Sequence, residues 1–516
     1  MKQLALIIAL ATLSIAQAGY DEPWRLQFHF TPEKNFMNDP NGLVFYKGEY
    51  HLFYQYNPFG NKWGHMSWGH AVSRDLIHWE HLPVALAEEK GEMIFSGGAV
   101  VDVNNTSGLC KPTSPRDRSC LIAIYTGHTD KKQVQNIAYS NDRGRTWTKY
   151  AGNPVIDIGY KDFRDPKVFW HGPSRRWVMA VSLSTEKKVR FYGSRDLKKW
   201  IALSDFGPAG VRDGLWECPD LFELPVDGSP RRKKWVLIVN VNPGGPAGGS
   251  GVQYFIGAFD GRKFTSDNPS DKILYADYGK DFYAAVSWSD IPKTDGRRIW
   301  IGWMMNWQYA NEEPSETWRG AMSLPRVLSL KKFPDGIKLV QQPIVASRVN
   351  RLISQQLSGE GVASINSFLP SMFAGGDAMD IEAEFEVGAA SEFGIKVRKG
   401  ETEETIIGYD AARQQLFIDR TKSGEVGFKP GFPGRHAAPM KPTGNKIRLD
   451  IFVDRSSVEV FGNDGEVVLT DRIFPRGRSR GLELYEVGGK ANVIGFSIAK
   501  VKSVWTTTKG EMKRNE

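Results

Sequence analysis

One phrase recurs along the first half of this chain and limits what it can fold into. Ser73-Arg74-Asp75-Leu76-Ile77-His78-Trp79, Ser140-Asn141-Asp142-Arg143-Gly144-Arg145-Thr146-Trp147 and Ser194-Arg195-Asp196-Leu197-Lys198-Lys199-Trp200 each set Ser-x-Asp shortly before a tryptophan. Asp260-Gly261-Arg262-Lys263-Phe264 is a degenerate fourth copy. Each copy follows an apolar, strand-like run: His70 to Val72, Ile137 to Tyr139, Val189 to Tyr192 and Tyr254 to Phe259. Copies about 50–70 residues apart fit one four-stranded blade each, the polar residues making a hairpin turn and the aromatic packing between blades. A β-propeller is therefore expected, with a blade number that four copies do not fix. The 53 glycines and the 16 Trp, 17 Tyr and 28 Phe suit a strand-rich fold with many tight turns.

The texture changes after Arg326. Gln341-Gln342-Pro343 and the polar stretch behind it read as a connector over 341–360 that could hold a short helix. Clean period-two alternation follows. Ile381, Ala383, Phe385 and Val387 alternate with acids, and Ile447, Leu449, Ile451 and Val453 with polar residues. Val458-Glu459-Val460-Phe461 then runs into the turn Asn463-Asp464-Gly465. One wet and one buried face per strand predicts a sandwich of antiparallel sheets over 361–508, ahead of a polar tail at 509–516. The class is all-β: a propeller over 19–340 followed by a β-sandwich.

Residues 1–18 read as a secretory leader, with Lys2, an apolar run from Leu4 to Ile15, and Ala16-Gln17-Ala18 as the cleavage site. No later stretch reaches the roughly 20 apolar residues of a spanning helix, so no membrane partner is expected. The 67 Lys and Arg against 59 Asp and Glu are intermixed, which argues against a nucleic-acid surface. In an oxidising compartment Cys110 and Cys120 can close a short loop, leaving Cys218 free. Overlapping sequons start at Asn104 and Asn105, with room for one glycan. Oligomeric state is not legible here.

Three acids have unusual company: Asp39 in Asn38-Asp39-Pro40-Asn41-Gly42, Asp165 in Phe163-Arg164-Asp165-Pro166, and Glu217 in Trp216-Glu217-Cys218-Pro219. Proline directly follows Asp39 and Asp165 and stands two places after Glu217, which is expected to hold each carboxylate on extended, rigid backbone. Taken alone, the first is an ordinary turn, the second an ion pair with Arg164, and the third a solvated strand acid. Taken together, in this order and spacing, they resemble the glycoside hydrolase family of invertases, exo-inulinases and levanases, the β-fructofuranosidases. Gln55-Tyr56-Asn57-Pro58, Trp63-Gly64-His65, Phe95-Ser96-Gly97, Asp281-Phe282-Tyr283-Ala284, Trp318-Arg319-Gly320 and Asp454-Arg455-Ser456-Ser457-Val458-Glu459 extend the resemblance over the mature chain. Gly98 departs from it, standing where relatives commonly carry a small hydroxyl residue.

The resemblance implies five blades and a site in the central funnel. It implies Asp39 as nucleophile, Glu217 as general acid/base and Asp165 as stabiliser of the transition state, in retaining hydrolysis of terminal fructosyl units of sucrose, inulin or levan. Hydrogen bonds should keep Asp39 ionised, and Arg164 should keep Asp165 so. Asn38, Gln55, Ser96 and Arg164 are the expected polar contacts to sugar, and Trp63, Phe95 and Trp318 the apolar ones. Trp79, Trp147 and Trp200 are given to packing between blades, and Trp303 and Trp307 are balanced between core and wall. His65 and His70 lack a convergent third ligand, so neither metal nor cofactor is expected. A transferase using the same intermediate, or a non-catalytic sugar-binding propeller, stays open as an alternative.

Overall fold

The computed structural model describes residues 20–112, 114, 117–345, 351–357, 360–373 and 375–505; the leader and the polar tail lie outside them. Five antiparallel four-stranded blades come first. Their first strands are Asn35–Tyr46, Met93–Val101, Phe163–His171, Leu215–Val226 and Tyr283–Ser287. These five pack neighbour to neighbour in a closed ring, so the first strand of each blade faces the axis. The short strand Trp318–Arg319 pairs in parallel with Asn35 and Phe36, tying blade 5 to blade 1.

The recurring phrase is the turn between third and fourth strands. In blade 1, Asp75 Oδ1 accepts the backbone N–H groups of Ile77 and His78 while Ser73 Oγ accepts that of Leu76. Asp196 accepts Lys198 and Lys199 in the same way, and Asp260 accepts Arg262 and Lys263. The aromatic then packs across blades: Trp147 of blade 2 meets Phe53 of blade 1 edge-on, and Phe264 of blade 4 meets Phe206 of blade 3. Blade 5 has no copy because its last hairpin, Arg326–Phe333 to Gly336–Pro343, closes through Pro334-Asp335 alone.

Gln341, Gln342 and Pro343, read from sequence as the start of a connector, are the end of that hairpin, paired with Leu328, Val327 and Arg326. The strand Arg351–Leu357 joins the sandwich by pairing with Asn492–Val501. The helix falls later than the connector, at Val362–Met372, where it packs on the strand Gly481–Val487. Two sheets, of seven and five strands, enclose one apolar core that includes Ile381, Phe385, Ile395, Ile407, Leu449 and Val460. The Cys110–Cys120 disulfide is present and Cys218 is free and buried.

Alternation fails at Val458-Glu459-Val460-Phe461, where every residue is buried. The face expected to be wet packs on the propeller: Phe452, Phe461 and Val468 share an apolar cluster with Phe28, Ile77 and Leu324. Charges are buried alongside. Asp454 accepts the N–H groups of Gln27 and Phe28 and lies 2.8 Å from His29 Nδ1. Glu459 faces the other ring nitrogen of His29 and pairs with Arg326 at 2.6 Å. Arg420 reaches across to Asp281 at 2.5 Å.

Candidate active site

Each inner strand breaks its register at the same level. The unpaired residues are Asn38 and Asp39 in blade 1, Ser96 in blade 2, Asp165 and Pro166 in blade 3, Cys218 and Pro219 in blade 4, and Ala284 and Ala285 in blade 5. A bulge frees a residue from the ladder and re-aims its side chain, and proline costs nothing where no ladder N–H is needed. This is why proline stands within two residues of each acid. Asp165, Cys218 and Ala284 take positive φ (65°, 43° and 51°), a strained backbone for non-glycine residues that the surroundings must hold. They do: Asp165 N donates to Thr126 Oγ1, while Asn240 binds the Cys218 carbonyl and the Ala285 N–H, stapling adjacent bulges together.

The five bulges floor a cavity of about 350 Å³ lined by Asn38, Asp39, Gln55, Trp63, Phe95, Ser96, His128, Gln133, Asp162, Arg164, Asp165, Glu217, Asn242 and Trp307. Asp39 accepts hydrogen bonds from Ser96 Oγ at 2.8 Å and Asn38 Nδ2 at 3.0 Å, with the Cys218 thiol at 3.6 Å. Asp165 accepts the Cys218 backbone N–H at 2.9 Å. Glu217 is gripped on both oxygens, by Arg164 Nε at 3.0 Å and by the Tyr283 hydroxyl. Cys218 thus touches two carboxylates and follows the third in sequence. Burial, and then those anions, push its thiol far above the ordinary range, which disfavours the nucleophilic thiolate, and the cysteine is free.

Electrostatics differ from the expectation in two places. Burial, reinforced by Glu217, raises the Asp39 carboxyl above its ordinary value despite its three hydrogen-bond donors. Burial also lifts Asp165 to about 7, with Glu217 and Asp39 adding to the rise and Arg164 only opposing it. The reason is geometric: the Arg164 guanidinium bonds Glu217, Asp162 and Gln133, and leaves its sequence neighbour Asp165 to a single backbone donor. Asp39 and Asp165 are thus both raised, each by burial first and then by the negative charge of its neighbours.

Nine of the ten residues expected at the site line this cavity. Trp318 does not. It is 1% exposed, and the guanidinium groups of Arg25 and Arg472 lie over its ring, so it belongs to the seam between propeller and sandwich. Of the undecided pair, Trp307 is wall and Trp303 is core. His128, Gln133, Asp162, Asn242 and Tyr283 were not singled out from sequence. Only Tyr283 carried a signal, inside Asp281-Phe282-Tyr283-Ala284. Gly98 is behind the wall, where an added Cβ would sit 3.2 Å from the Pro166 carbonyl oxygen, so this departure alters nothing a ligand touches. His65 sits at the rim against Glu88 and His70 in the blade interior against His51.

Two buried polar atoms of the wall, Asn38 Oδ1 and Gln55 Nε2, have no partner within the protein. Buried amides in that state call for a hydroxyl-rich ligand. A propeller funnel with three clustered carboxylates, aromatic walls and unpaired amides defines the class of carbohydrate-cleaving enzymes that work through paired acids. Residues 29–343 match the N-terminal domain of glycosyl hydrolases family 32 and residues 340–502 its C-terminal domain. The chain belongs to that family. It is 54% identical to a levanase of Bacillus subtilis over 98% of this chain and 75% of that protein. It is 43% identical to an extracellular exo-inulinase of Aspergillus niger over 97% and 99%. The crystal structure of the Aspergillus awamori exo-inulinase superposes with a TM-score of 0.87 at 41% identity, over 94% of this chain and all of the other. The Schwanniomyces occidentalis fructofuranosidase complexed with fructosylnystose superposes with 0.84 at 34% identity, over 95% and 99%.

Proposed function

We propose that the protein is an exported β-fructofuranosidase that removes terminal fructosyl units from fructans and sucrose with net retention. The observation that carries this reading is the clustering of Asp39, Asp165 and Glu217 at or beside the inner-strand bulges of blades 1, 3 and 4, around Cys218. Asp39 attacks the anomeric carbon; its short stem and its Ser96 and Asn38 donors fix the attacking oxygen. Glu217 protonates the departing oxygen and then takes a proton from the incoming water, with Arg164 and Tyr283 setting its direction. Asp165 holds the hydroxyls of the sugar while positive charge develops on the ring. The leader, the disulfide and the extracellular relatives support export.

Two measurements test it. Incubation with levan, inulin and sucrose is expected to release free fructose from the start; oligosaccharides alone would sink the exo reading. With fructosyl fluoride, whose leaving group needs no proton, Glu217→Gln is expected to keep a rapid burst of fluoride and Asp39→Asn to lose it. The reverse pattern would exchange the two roles.

A further inference from the structure

We infer that the β-sandwich carries a second, non-catalytic site: a basic pocket between its helix and the loop 475–480 that binds a phosphate-bearing polyanionic chain. The site is independent of the catalytic reading, since none of its lining residues lines the funnel cavity. Its volume of about 760 Å³ is far more than one small ion fills and lies within the range of organic ligand sites. Leu369 and Phe373 of the helix give it an apolar lining, and Lys399, Arg478 and Arg480 line it with Glu483 as the one acid. Lys500 adds a further ammonium, 5.1 Å over the Phe373 ring.

The run Pro475-Arg476-Gly477-Arg478-Ser479-Arg480 sets three arginines in five residues, and the catalytic site uses none of them. All three are exposed. The nearby acids are already taken: Glu483 by Lys399, and Asp377 by Arg455 at 3.1 Å and Arg480 at 3.8 Å. Among the described residues, no hydrogen bond or ion pair engages the guanidinium group of Arg476 or Arg478. Cations gathered this closely repel one another, and an anion relieves that repulsion. A planar guanidinium bonds phosphate oxygens in pairs, and a chain of phosphates offers such a group to each arginine in turn.

The loop is fixed from beneath by a fourth arginine. Arg398 is 2% exposed, and its guanidinium donates to the carbonyl oxygens of Ser479, Arg455 and Arg476. Glu403 accepts the Arg476 N–H at 2.8 Å and the Ser479 hydroxyl. Glycine lets neighbouring backbone close on the loop: a Cβ at Gly375 would collide with the Arg480 carbonyl oxygen, and one at Gly400 would sit 2.5 Å from Ser479 Oγ. With its backbone held and its arginines exposed, the loop loses little entropy when a ligand binds.

The test is titration of the full chain with labelled inorganic polyphosphate, followed by fluorescence anisotropy at low and at physiological ionic strength. Arg478→Ala/Arg480→Ala is expected to weaken binding about tenfold, because charge-assisted bonds to phosphate are lost. Arg478→Glu alone, at a guanidinium with no partner among the described residues, is expected to weaken it by a similar factor. Arg231→Ala/Arg232→Ala removes the same charge from exposed strand residues of blade 4 and is expected to leave binding within about twofold. Polyphosphate should also raise the melting temperature of the unsubstituted protein and not that of the double loop variant. An equal loss in the blade 4 variant would reduce the site to general attraction by a chain of net charge +8 and overturn it. No binding by the unsubstituted protein would overturn it as well. Oligogalacturonate binding as tightly would overturn the choice of phosphate, and inorganic phosphate competing as well per phosphate group would overturn the choice of a chain.

Discussion

Asp165 shows how a single residue trades stability for chemistry. Its carboxyl holds a proton up to about 7 when folded but ionises near 4 when unfolded. The folded state therefore binds the extra proton between these values, and stability falls as pH rises through that window. Above it, the buried anion is a standing cost. Asp165→Asn is expected to raise the melting temperature at pH 7.5 by several degrees, on the order of 2 kcal/mol, with the gain shrinking towards pH 4. It should lose at least about a hundredfold in kcat. Melting curves at both pH values check the first outcome and initial rates the second; a variant less stable at pH 7.5 would mean that Arg164 had neutralised the burial cost after all. Trp318 carries the opposite lesson at this scale. Nothing in its sequence context separates a tryptophan that stacks on sugar from one that stacks under Arg25 and Arg472, because the guanidinium groups arrive from residues 293 positions before and 154 after it.

At the scale of the element, the turn phrase and the bulge divide the work. The phrase builds each blade from local hydrogen bonds and was readable because Ser, Asp and the aromatic lie within a few residues of one another. Asp196→Ala removes the acceptor of Lys198 and Lys199 N–H and of Ser194 Oγ. The expected cost is about 1–2 kcal/mol in denaturant unfolding with kcat on sucrose unchanged, because the turn lies between outer strands. A comparable loss of kcat would show that blade edges transmit strain to the funnel. The bulges were only half legible. Proline marks three of them, but Ser96 and Ala284-Ala285 carry no such sign, and bulges appear only when two strands are laid side by side.

For the whole molecule, the seam between propeller and sandwich is the part most unlike the sequence expectation. His29 is wedged between Asp454 and Glu459. Burial alone would strip its proton, but the two carboxylates outweigh it and hold its pKa above the ordinary value. The folded state therefore favours the imidazolium. Its contribution is fully present below about 6.5 and is lost as pH rises through the raised folded value. His29→Gln is expected to lower the melting temperature at pH 6 and to flatten its decline on the alkaline side, read by melting curves from pH 5 to 9; an unchanged alkaline limb would assign the decline elsewhere. Asp281 accepts Arg420 across this seam and the Tyr309 hydroxyl from within the propeller, two residues before Tyr283 reaches Glu217. Sandwich and catalytic floor are therefore joined by one short stretch of chain.

The all-β class, the blade and sandwich units and the Cys110–Cys120 disulfide were legible in the sequence, since each is written in residues close together or in a strict period. The tertiary structure alone decided which tryptophan is wall and which is seam, which acid Arg164 serves, and that Glu459 is buried. Those depend on what a side chain meets from strands hundreds of residues away: a period-two pattern says that one face turns from the core, and only the neighbour that covers it decides whether that face is wet.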